Sequence, residues 1–197
     1  MKRINEIFYS LQGEGRNTGR AAIFIRFAGC NLRCSFCDTE FDSYQEMSDE
    51  DILQAIAPYP ARFVVLTGGE PTLQADEAFV ELLHSKGYEV AMESNGTHPS
   101  PKNLDWLTVS PKQNRKGEMG DEKWTRQPDE IKIVFEEDTN PETIISHFSL
   151  PHFLFLQPCD TGDPQRNADI MKRCVEYILQ HPKWQLSLQT HKLINIQ

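Results

Sequence analysis

The sequence predicts an α/β protein built as an open, incomplete parallel β/α barrel, and three observations predict this class. Short apolar strands alternate with amphipathic segments over almost the whole chain, which is typical of βα units and a mainly parallel sheet. Small or polar motifs follow six of these strands, at the carboxyl ends where such folds gather active-site loops. The chain has 197 residues, and a complete eightfold barrel typically takes about 250. We therefore expect a single domain over residues 1–197.

The predicted strands are short apolar runs bounded by turn residues. Residues 23–27 form an apolar, β-branched run that ends in Ala28 and Gly29, so a buried strand is expected to deliver the loop that follows. The opening segment, EIFYSLQGEG, predicts a strand and a Gly-rich turn beside the main sheet. The main sheet is expected to contain seven strands, at residues 23–27, 63–67, 88–92, 106–109, 131–135, 153–156 and 185–188.

The predicted helices lie between these strands. Ser48 with Asp51 three residues later is a capping-box signature, which predicts a helix start before Ile52. Apolar positions at helical spacing predict a helix over residues 73–86, and Gly87 stands where such a helix would end. Further helices are expected near residues 141–148 and 164–181. Residues 111–130 form a long polar insert, which we expect to be a mobile flap.

Six motifs follow the predicted strands in a regular way. In chain order they are GCNLRCSFC, TGGEP, ESNG, SPK, QPCD and QTHK. Because the carboxyl ends of parallel strands lie at the same end of a barrel, all six loops are expected to converge on one mouth.

Three cysteines, Cys30, Cys34 and Cys37, lie within eight residues of one another. Thiolates select zinc, cuprous copper or iron–sulfur clusters, and the absence of a fourth cysteine from this loop leaves one coordination position open. Flanking arginines are expected to lower the pKa of these cysteines. A zinc knuckle is the structural alternative, and a disulfide is less favoured. The distant Cys174 is assigned to packing, whereas Cys159 is packing or an oxidation liability beside a cluster.

Composition narrows the partners and the compartment. The net charge is −9 and the isoelectric point about 5.1, so no electrostatic footprint for nucleic acid or an anionic membrane is expected. The N-terminus has no apolar signal-peptide region, and the apolar runs are too short to span lipid. Five cysteines with three of them clustered indicate a reducing compartment. We expect a cytoplasmic protein that acts on a small molecule.

CxxxCxxC after the first core strand, with GGEP after the next, resembles the radical S-adenosylmethionine (SAM) superfamily. More narrowly, LQGEG, IRFAGCN, CDT, TGGEPTLQ, ESNG, VSPK, QPCD and QTHK resemble the 7-carboxy-7-deazaguanine synthase family of the queuosine pathway. The likeness covers nearly the whole chain, and it implies a barrel of the radical SAM type.

The resemblance implies a [4Fe-4S] cluster on Cys30, Cys34 and Cys37, with SAM chelating the fourth iron. In such enzymes a 5′-deoxyadenosyl radical takes hydrogen from C6 of 6-carboxy-5,6,7,8-tetrahydropterin. The ring then contracts to 7-carboxy-7-deazaguanine with loss of ammonia. No side chain is expected to be catalytic, because the protein positions and shields the reactants.

The resemblance also assigns the residues that bind SAM. The two glycines of GGEP would let the main chain approach the ligand closely, because a Cβ would block it. Lys112 is alternatively a solvated surface charge. The implied contacts are Gly68, Gly69, Glu70, Ser94, Asn95, Ser110, Pro111, Lys112, Gln157, Pro158 and Asp160.

A pterin presents N–H donors beside ring acceptors, so its pocket needs a carboxylate and amide-like partners. Gln12 and Glu14 meet that need. Arg26 is expected to bind the substrate carboxylate, or alternatively to balance the cluster charge. The resemblance implies that the Thr39 hydroxyl binds Mg²⁺, with a local turn as the alternative. The substrate residues implied are Leu11, Gln12, Gly13, Glu14, Arg26, Thr67, His191 and Gln197, the last through its terminal carboxylate.

Two rival functions remain open at this point. A glycyl-radical-activating enzyme would share the cysteine loop and a GGEP-like turn, although LQGEG and QTHK argue against it. A zinc-binding interaction module would have no catalysis. The family resemblance further implies a reductant protein such as flavodoxin and a homodimer.

Overall fold

The structure is a computed structural model that describes residues 1–37, 39–40, 42–112, 126–146, 148 and 151–197. The described residues form one nine-stranded sheet in the order β3-β1-β2-β4-β5-β6-β7-β8-β9, whose two end strands are not paired with each other. The predicted open α/β barrel is therefore confirmed. The strands are β1 Lys2–Leu11, β2 Ala21–Phe27, β3 Gln45–Met47, β4 Phe63–Gly68, β5 Glu89–Ser94, β6 Trp106–Val109, β7 Glu130–Phe135, β8 Phe153–Pro158 and β9 Gln185–Leu186.

The seven strands expected in the main sheet, β2 and β4 to β9, pair in parallel. The opening strand β1 pairs antiparallel with β2, as the sequence predicts for a segment beside the main sheet. The short edge strand β3 was not predicted, and it pairs with the first residues of β1. β9 ends at Leu186, two residues before its predicted end.

Five helices cover the described part of the sheet: α1 Asp49–Ile56, α2 Glu77–Ser85, α3 Pro141–Ile145, α4 Pro164–Gln180 and α5 Thr190–Ile194. The capping box of Ser48 and Asp51 is present at the start of α1. The predicted start of α2 is wrong, because the Asp76 side chain accepts from the Phe79 N–H and caps the helix there. Gly87 follows this helix with a φ of +79°. The sequence did not predict α5.

The interior of the barrel is apolar at its floor and polar nearer the carboxyl ends of the strands. Its floor is an apolar cluster that includes Phe24 on β2, Val65 on β4 and Ala91 on β5. Two residues further along β2 and β5, the inward positions carry Arg26 and Glu93, which line a cavity. Side chains of a strand alternate between its faces, so each strand supplies a floor residue and then a polar residue nearer its carboxyl end.

The expected mobile flap at residues 111–130 lies mostly outside the described residues, because 113–125 are not among them. Asp38 of the CDT motif is also outside them. In the part of the chain that the structure describes, none of the helices has the length and apolar character needed to cross a lipid bilayer.

Candidate active site

A cavity of about 750 Å³ opens at the carboxyl ends of the parallel strands. This volume lies in the usual range for small-molecule sites. All six motif loops contribute to its lining, as the sequence predicts from their positions after the strands. Of the residues predicted to bind cluster, SAM, Mg²⁺ or substrate, all line this cavity except Glu70 and Pro111.

The cysteine loop leaves β2 through Gly29, which has a φ of +84°. Cys30, Cys34 and Cys37 are free thiols that share the cavity wall. Among the described residues, no three His, Cys, Asp or Glu side chains converge as ligands of one metal ion would. A [4Fe-4S] cluster needs no such convergence, because each cysteine binds a different iron. Three soft thiolates with no fourth cysteine in the loop suit a cluster that takes an outside ligand better than a four-coordinate structural zinc site.

The expectation that flanking arginines lower the cysteine pKa values is wrong for the free thiols of Cys30 and Cys34. Partial burial raises the pKa of Cys30 and of Cys34. The Arg33 guanidinium forms an ion pair with Asp42 at 3.1 Å. The Arg26 guanidinium forms an ion pair with Glu6 at 2.7 Å. The arginine charges are thus largely occupied by neighbouring carboxylates.

The GGEP turn packs directly on the cysteine loop. Gly68 has a φ of +121°, and a Cβ there would lie 2.2 Å from the Phe27 carbonyl oxygen. A Cβ on Gly69 would lie 1.9 Å from the Gly29 carbonyl oxygen. The sequence analysis explains these glycines by the close approach of the main chain to a ligand. The structure adds a second requirement, because at both glycines the GGEP backbone packs closely against the backbone of residues 27–29.

Glu70 is fully buried, and its carboxylate is used entirely within the protein. Oε1 accepts from the Thr72 N–H at 3.1 Å, the Thr72 hydroxyl at 2.6 Å and the Ser94 hydroxyl at 2.8 Å. Oε2 accepts from the Asn95 N–H at 2.7 Å. Glu70 therefore joins the loops after β4 and β5, and a contact with SAM is left to its main chain.

The loops after β5 and β6 place their polar groups beside the cysteines. The Asn95 amide nitrogen lies 3.8 Å from the Cys30 sulfur. The Lys112 ammonium donates to the Ser110 hydroxyl at 2.6 Å and lies 5.5 Å from the centre of the Phe36 ring. Burial lowers the pKa of Lys112, so its alternative as a solvated surface charge does not fit this position.

The loop after β8 contributes Gln157, Pro158 and Asp160 to the cavity. Gln157 is buried and accepts from the Ser187 hydroxyl at 2.9 Å. The Lys192 ammonium donates to Asp160 at 2.8 Å, and this hydrogen bond lowers the pKa of Asp160 to about 2. Asp160 thus ties the loop after β8 to α5.

Cys159 and Cys174 are both buried. Cys174 packs in the apolar cluster beneath α4, as predicted. Cys159 packs there too and also lines the cavity. Burial and a hydrogen bond to Glu136 raise the pKa of Cys159 to about 12, so it remains a neutral thiol.

The opposite wall of the cavity comes from the turn after β1 and from α5. A Cβ on Gly13 would lie 2.1 Å from Nδ1 of His191, so the imidazole packs directly on this glycine. The Thr190 N–H donates to the Gly13 carbonyl at 3.0 Å. Gln12 and Glu14 line the same wall. The turn after β1 and α5 are far apart in the sequence but lie together in the structure. The resemblance assigns substrate-binding residues to both segments.

A third group of polar residues, centred on Arg26 and Glu6, lies between the two walls. The Arg26 guanidinium donates from Nε to Glu6 at 2.7 Å and from Nη1 to the Thr39 hydroxyl at 3.5 Å. The Gln197 amide donates to the other oxygen of Glu6 at 2.7 Å. Leu11 and Thr67 also line the cavity. Glu6 therefore connects the predicted carboxylate-binding arginine to the C-terminal residue.

Glu93 and Lys132 are among the charged residues of this cavity that sequence reasoning missed. Lys132 donates to Glu14 at 2.6 Å and to Glu93 at 3.0 Å. A signal was present in both cases. Glu93 is the first residue of the ESNG motif, and Lys132 is a charged residue inside the otherwise apolar run of β7.

Comparison with known proteins agrees with this geometry. The Radical SAM superfamily model matches residues 24–111, which include the cysteine loop and the GGEP turn. The chain is 48% identical to the 7-carboxy-7-deazaguanine synthase of Bacteroides thetaiotaomicron over the full length of both chains. This chain is a member of the 7-carboxy-7-deazaguanine synthase family.

Other members of the synthase family support the same assignment. The synthase of Bordetella pertussis is 43% identical and covers 98% of both chains. The crystal structure of QueE from Escherichia coli superposes with a TM-score of 0.77 at 32% identity, covering 95% of this chain and 93% of that one. Radical SAM membership implies a [4Fe-4S] cluster and SAM as cofactors. Neither rival function is favoured by these synthase relatives.

Proposed function

We propose that this chain is a radical SAM enzyme that converts 6-carboxy-5,6,7,8-tetrahydropterin to 7-carboxy-7-deazaguanine with release of ammonia, in queuosine biosynthesis. One observation carries the proposal. A single cavity has three free cysteines and the GGEP turn on one wall and a set of pterin-compatible hydrogen-bonding groups on the other. Cofactor and substrate would therefore meet in one enclosed space, which hydrogen transfer between them requires.

The cofactor half consists of the cysteine loop and the loops after β4, β5, β6 and β8. Cys30, Cys34 and Cys37 would hold the cluster, and main-chain and side-chain groups beside them would hold SAM. When bound, this pair supplies the one-electron chemistry that starts hydrogen abstraction. The protein's own task is to fix the reactants in place and to exclude water.

The substrate half would bind both the flat ring and its carboxylate. Gln12 and Glu14 offer amide and carboxylate partners for the N–H edge of a pterin. Arg26 lines the cavity and would bind the carboxylate with two N–H donors. His191, packed on Gly13, would close the wall over the ring.

We also propose a Mg²⁺ ion held by the hydroxyl of Thr39. This hydroxyl lies 3.5 Å from the Arg26 guanidinium. A substrate carboxylate there would separate the guanidinium from a cation and bind both of them. Mg²⁺ prefers oxygen ligands and keeps several waters, so one protein ligand and one substrate ligand are compatible with it.

The remaining parts of the proposal follow from the family. We propose that the chain is one domain, works as a homodimer in the cytoplasm and receives electrons from a reductant protein such as flavodoxin. Sedimentation of the anaerobically purified protein tests the dimer. Reduction of the cluster by flavodoxin, followed by its absorbance, tests the reductant.

The central experiment is an anaerobic turnover assay. The cluster-loaded protein is incubated with SAM, dithionite and 6-carboxy-5,6,7,8-tetrahydropterin, with and without Mg²⁺, and the products are separated by chromatography. We expect 7-carboxy-7-deazaguanine and ammonia in equal amounts, with Mg²⁺ raising the rate. Cleavage of SAM without conversion of the pterin would contradict the proposed function.

One variant and a matched control test whether substrate binding and SAM binding depend on different walls of the cavity. Glu14→Gln removes a carboxylate from the substrate wall, so we expect the Michaelis constant for the pterin to rise about tenfold, the cost of one charge-assisted hydrogen bond. Binding of SAM should not change. The matched control is Glu137→Gln, which replaces a partly exposed carboxylate that is paired with Arg166, and it should leave both quantities unchanged.

A further inference from the structure

The cavity contains a buried ammonium that no role assigned above explains. The Lys132 side chain is only 6% exposed, although lysine is almost never fully buried unless it is paired. It extends from the middle of β7 into the barrel, where its neighbours come from other parts of the sheet. Such a residue requires partners, and the structure provides two.

The two partners are carboxylates from different parts of the fold: Glu14 lies in the turn after β1, and Glu93 lies on β5. Lys132 Nζ donates to Oε2 of Glu14 at 2.6 Å and to Oε2 of Glu93 at 3.0 Å. The remaining oxygens accept from amides: Oε1 of Glu14 from Gln189 at 3.1 Å, and Oε1 of Glu93 from Gln12 at 3.3 Å. The Lys132 ammonium therefore lies between two carboxylates, and each carboxylate also accepts a hydrogen bond from a side-chain amide.

We propose that Lys132 is a positioning residue, whose ammonium holds Glu14 and Glu93 side by side as ionised hydrogen-bond acceptors for the N–H donor edge of the substrate. Both carboxylates line the cavity. Each ionised carboxylate has about four acceptor sites, so the pair retains free sites after its contacts with Lys132 and the amides. This inference rests on the proposed function, because it deepens the description of that same substrate wall.

The charge balance explains why the lysine is needed. Two carboxylates in one low-dielectric site cannot both ionise easily without a cation between them. Burial acts to raise the pKa of Glu14, but the charge of Lys132, the hydrogen bonds from Lys132 and Gln189 and the charge of His191 together outweigh it and lower that pKa to about 2. For Glu93 burial prevails and raises the pKa, with Lys132 opposing it. Removal of the ammonium would therefore protonate at least one member of the pair.

A protonated carboxyl group is a poorer partner for the pterin. It carries an O–H donor in place of an acceptor site, so it meets a donor edge with a donor. The Lys132 variant should consequently lose affinity for the pterin and recover part of it at higher pH. A purely structural lysine would lower stability without giving the substrate affinity this pH dependence.

The test uses cluster-loaded Lys132→Met, with Lys172→Met on the exposed face of α4 as the matched control. Infrared spectroscopy first measures the ionisation of the carboxyl groups at neutral pH, without substrate, and Glu14→Gln assigns the Glu14 band. We expect the wild type and Lys172→Met to show an ionised Glu14 band. Lys132→Met should show a new protonated carboxyl band that persists in a Glu130→Gln background, because Glu130 is a further carboxyl group that Lys132 influences. An unchanged carboxyl spectrum would overturn the inference, whether or not the enzyme turns over the pterin.

Kinetics form the second arm. We expect Lys132→Met to raise the Michaelis constant for the pterin about tenfold or more near neutral pH, with a smaller increase at high pH. The SAM dissociation constant should stay within about twofold of the wild type, because Lys132 donates to Glu14 and Glu93, neither of which is among the implied SAM contacts. Lys132→Arg keeps the charge and should restore the ionised carboxyl band. An equal rise at every pH would overturn the positioning role.

The two arms separate this inference from the proposed function. If the wild type does not convert the pterin, the proposed function fails, and the infrared arm still decides whether Lys132 keeps the carboxylates ionised. If Lys132→Met does not fold, the wild type alone provides the test. A Glu14 band that titrates between pH 5 and 7 in the wild type would then refute the inference.

Discussion

The clearest prediction concerns Glu130, a buried carboxyl group at the start of β7. This residue is 1% exposed. Its Oε2 accepts from the Arg16 N–H at 3.0 Å, and its Oε1 has no hydrogen-bond partner among the residues described. Burial, followed by the neighbouring charge of Glu93, raises the pKa of Glu130 from 4.5 to about 7. The folded protein therefore holds a proton here that the unfolded chain releases.

The sign and size of the effect on stability follow from this difference. Between pH 4.5 and 7 the folded state binds more protons than the unfolded state, so the free energy of unfolding falls as pH rises through this window. At 1.36 kcal/mol per pKa unit, the full loss is about 3 kcal/mol, reached by about pH 8. For a protein of this length it corresponds to a melting temperature lower by about 6 to 12 °C.

Glu130→Gln removes this dependence because the amide cannot ionise, while its oxygen can still accept from the Arg16 N–H. We expect the variant to gain about 3 kcal/mol relative to the wild type between pH 5 and pH 8. Anaerobic urea denaturation of the cluster-loaded proteins, followed by circular dichroism at several pH values, measures this gain.

The matched control for this measurement is Glu137→Gln. Its hydrogen bond with Arg166 lowers the pKa of Glu137 to about 2, so this carboxylate is ionised throughout the window. The stability curve of Glu137→Gln should run parallel to that of the wild type. If the Glu130→Gln curve is parallel as well, the reasoning about the buried carboxyl group is refuted.

Four further outcomes are expected from other parts of the site. Glu70→Gln should lower the free energy of unfolding by about 2 to 3 kcal/mol, because an amide cannot accept all four of the buried hydrogen bonds; loss of SAM affinity at unchanged stability would contradict this. Gly69→Ala should reduce iron content on reconstitution, since its Cβ would displace the backbone of the cysteine loop; full iron content would argue against that packing. A tag appended after Gln197 should raise the Michaelis constant for the pterin, and undiminished turnover of the tagged chain would refute a role for the terminal carboxylate. Cys159→Ala should keep both cluster and activity, which iron analysis and the turnover assay check.

Much of the fold could be predicted because its signals are local. A parallel strand needs a short apolar run, and a helix start needs a cap such as Ser48 with Asp51, so both are visible within a few residues. The start of α2 was misplaced because apolar spacing continues back to Leu73. The capping hydrogen bond of Asp76 overrides that spacing. The edge strand β3 was missed because three polar-rich residues carry no strand signal of their own.

The candidate site likewise has features that the sequence predicts and contacts that only the folded structure determines. The spacing of Cys30, Cys34 and Cys37 indicated a cluster loop, and the positions of the motifs after strands indicated one shared cavity. Both features follow from the order of residues along the chain and from the geometry of parallel sheets.

The tertiary structure decided what each charged group in the cavity contacts. Lys132 and Glu14 are 118 residues apart in sequence, so no local pattern links them. Glu70 of the GGEP motif is one of the implied SAM contacts, and folding surrounds its carboxylate with four donors from two loops. Side-chain partners depend on which strands lie next to each other and on how much water is excluded, and these are properties of the folded barrel.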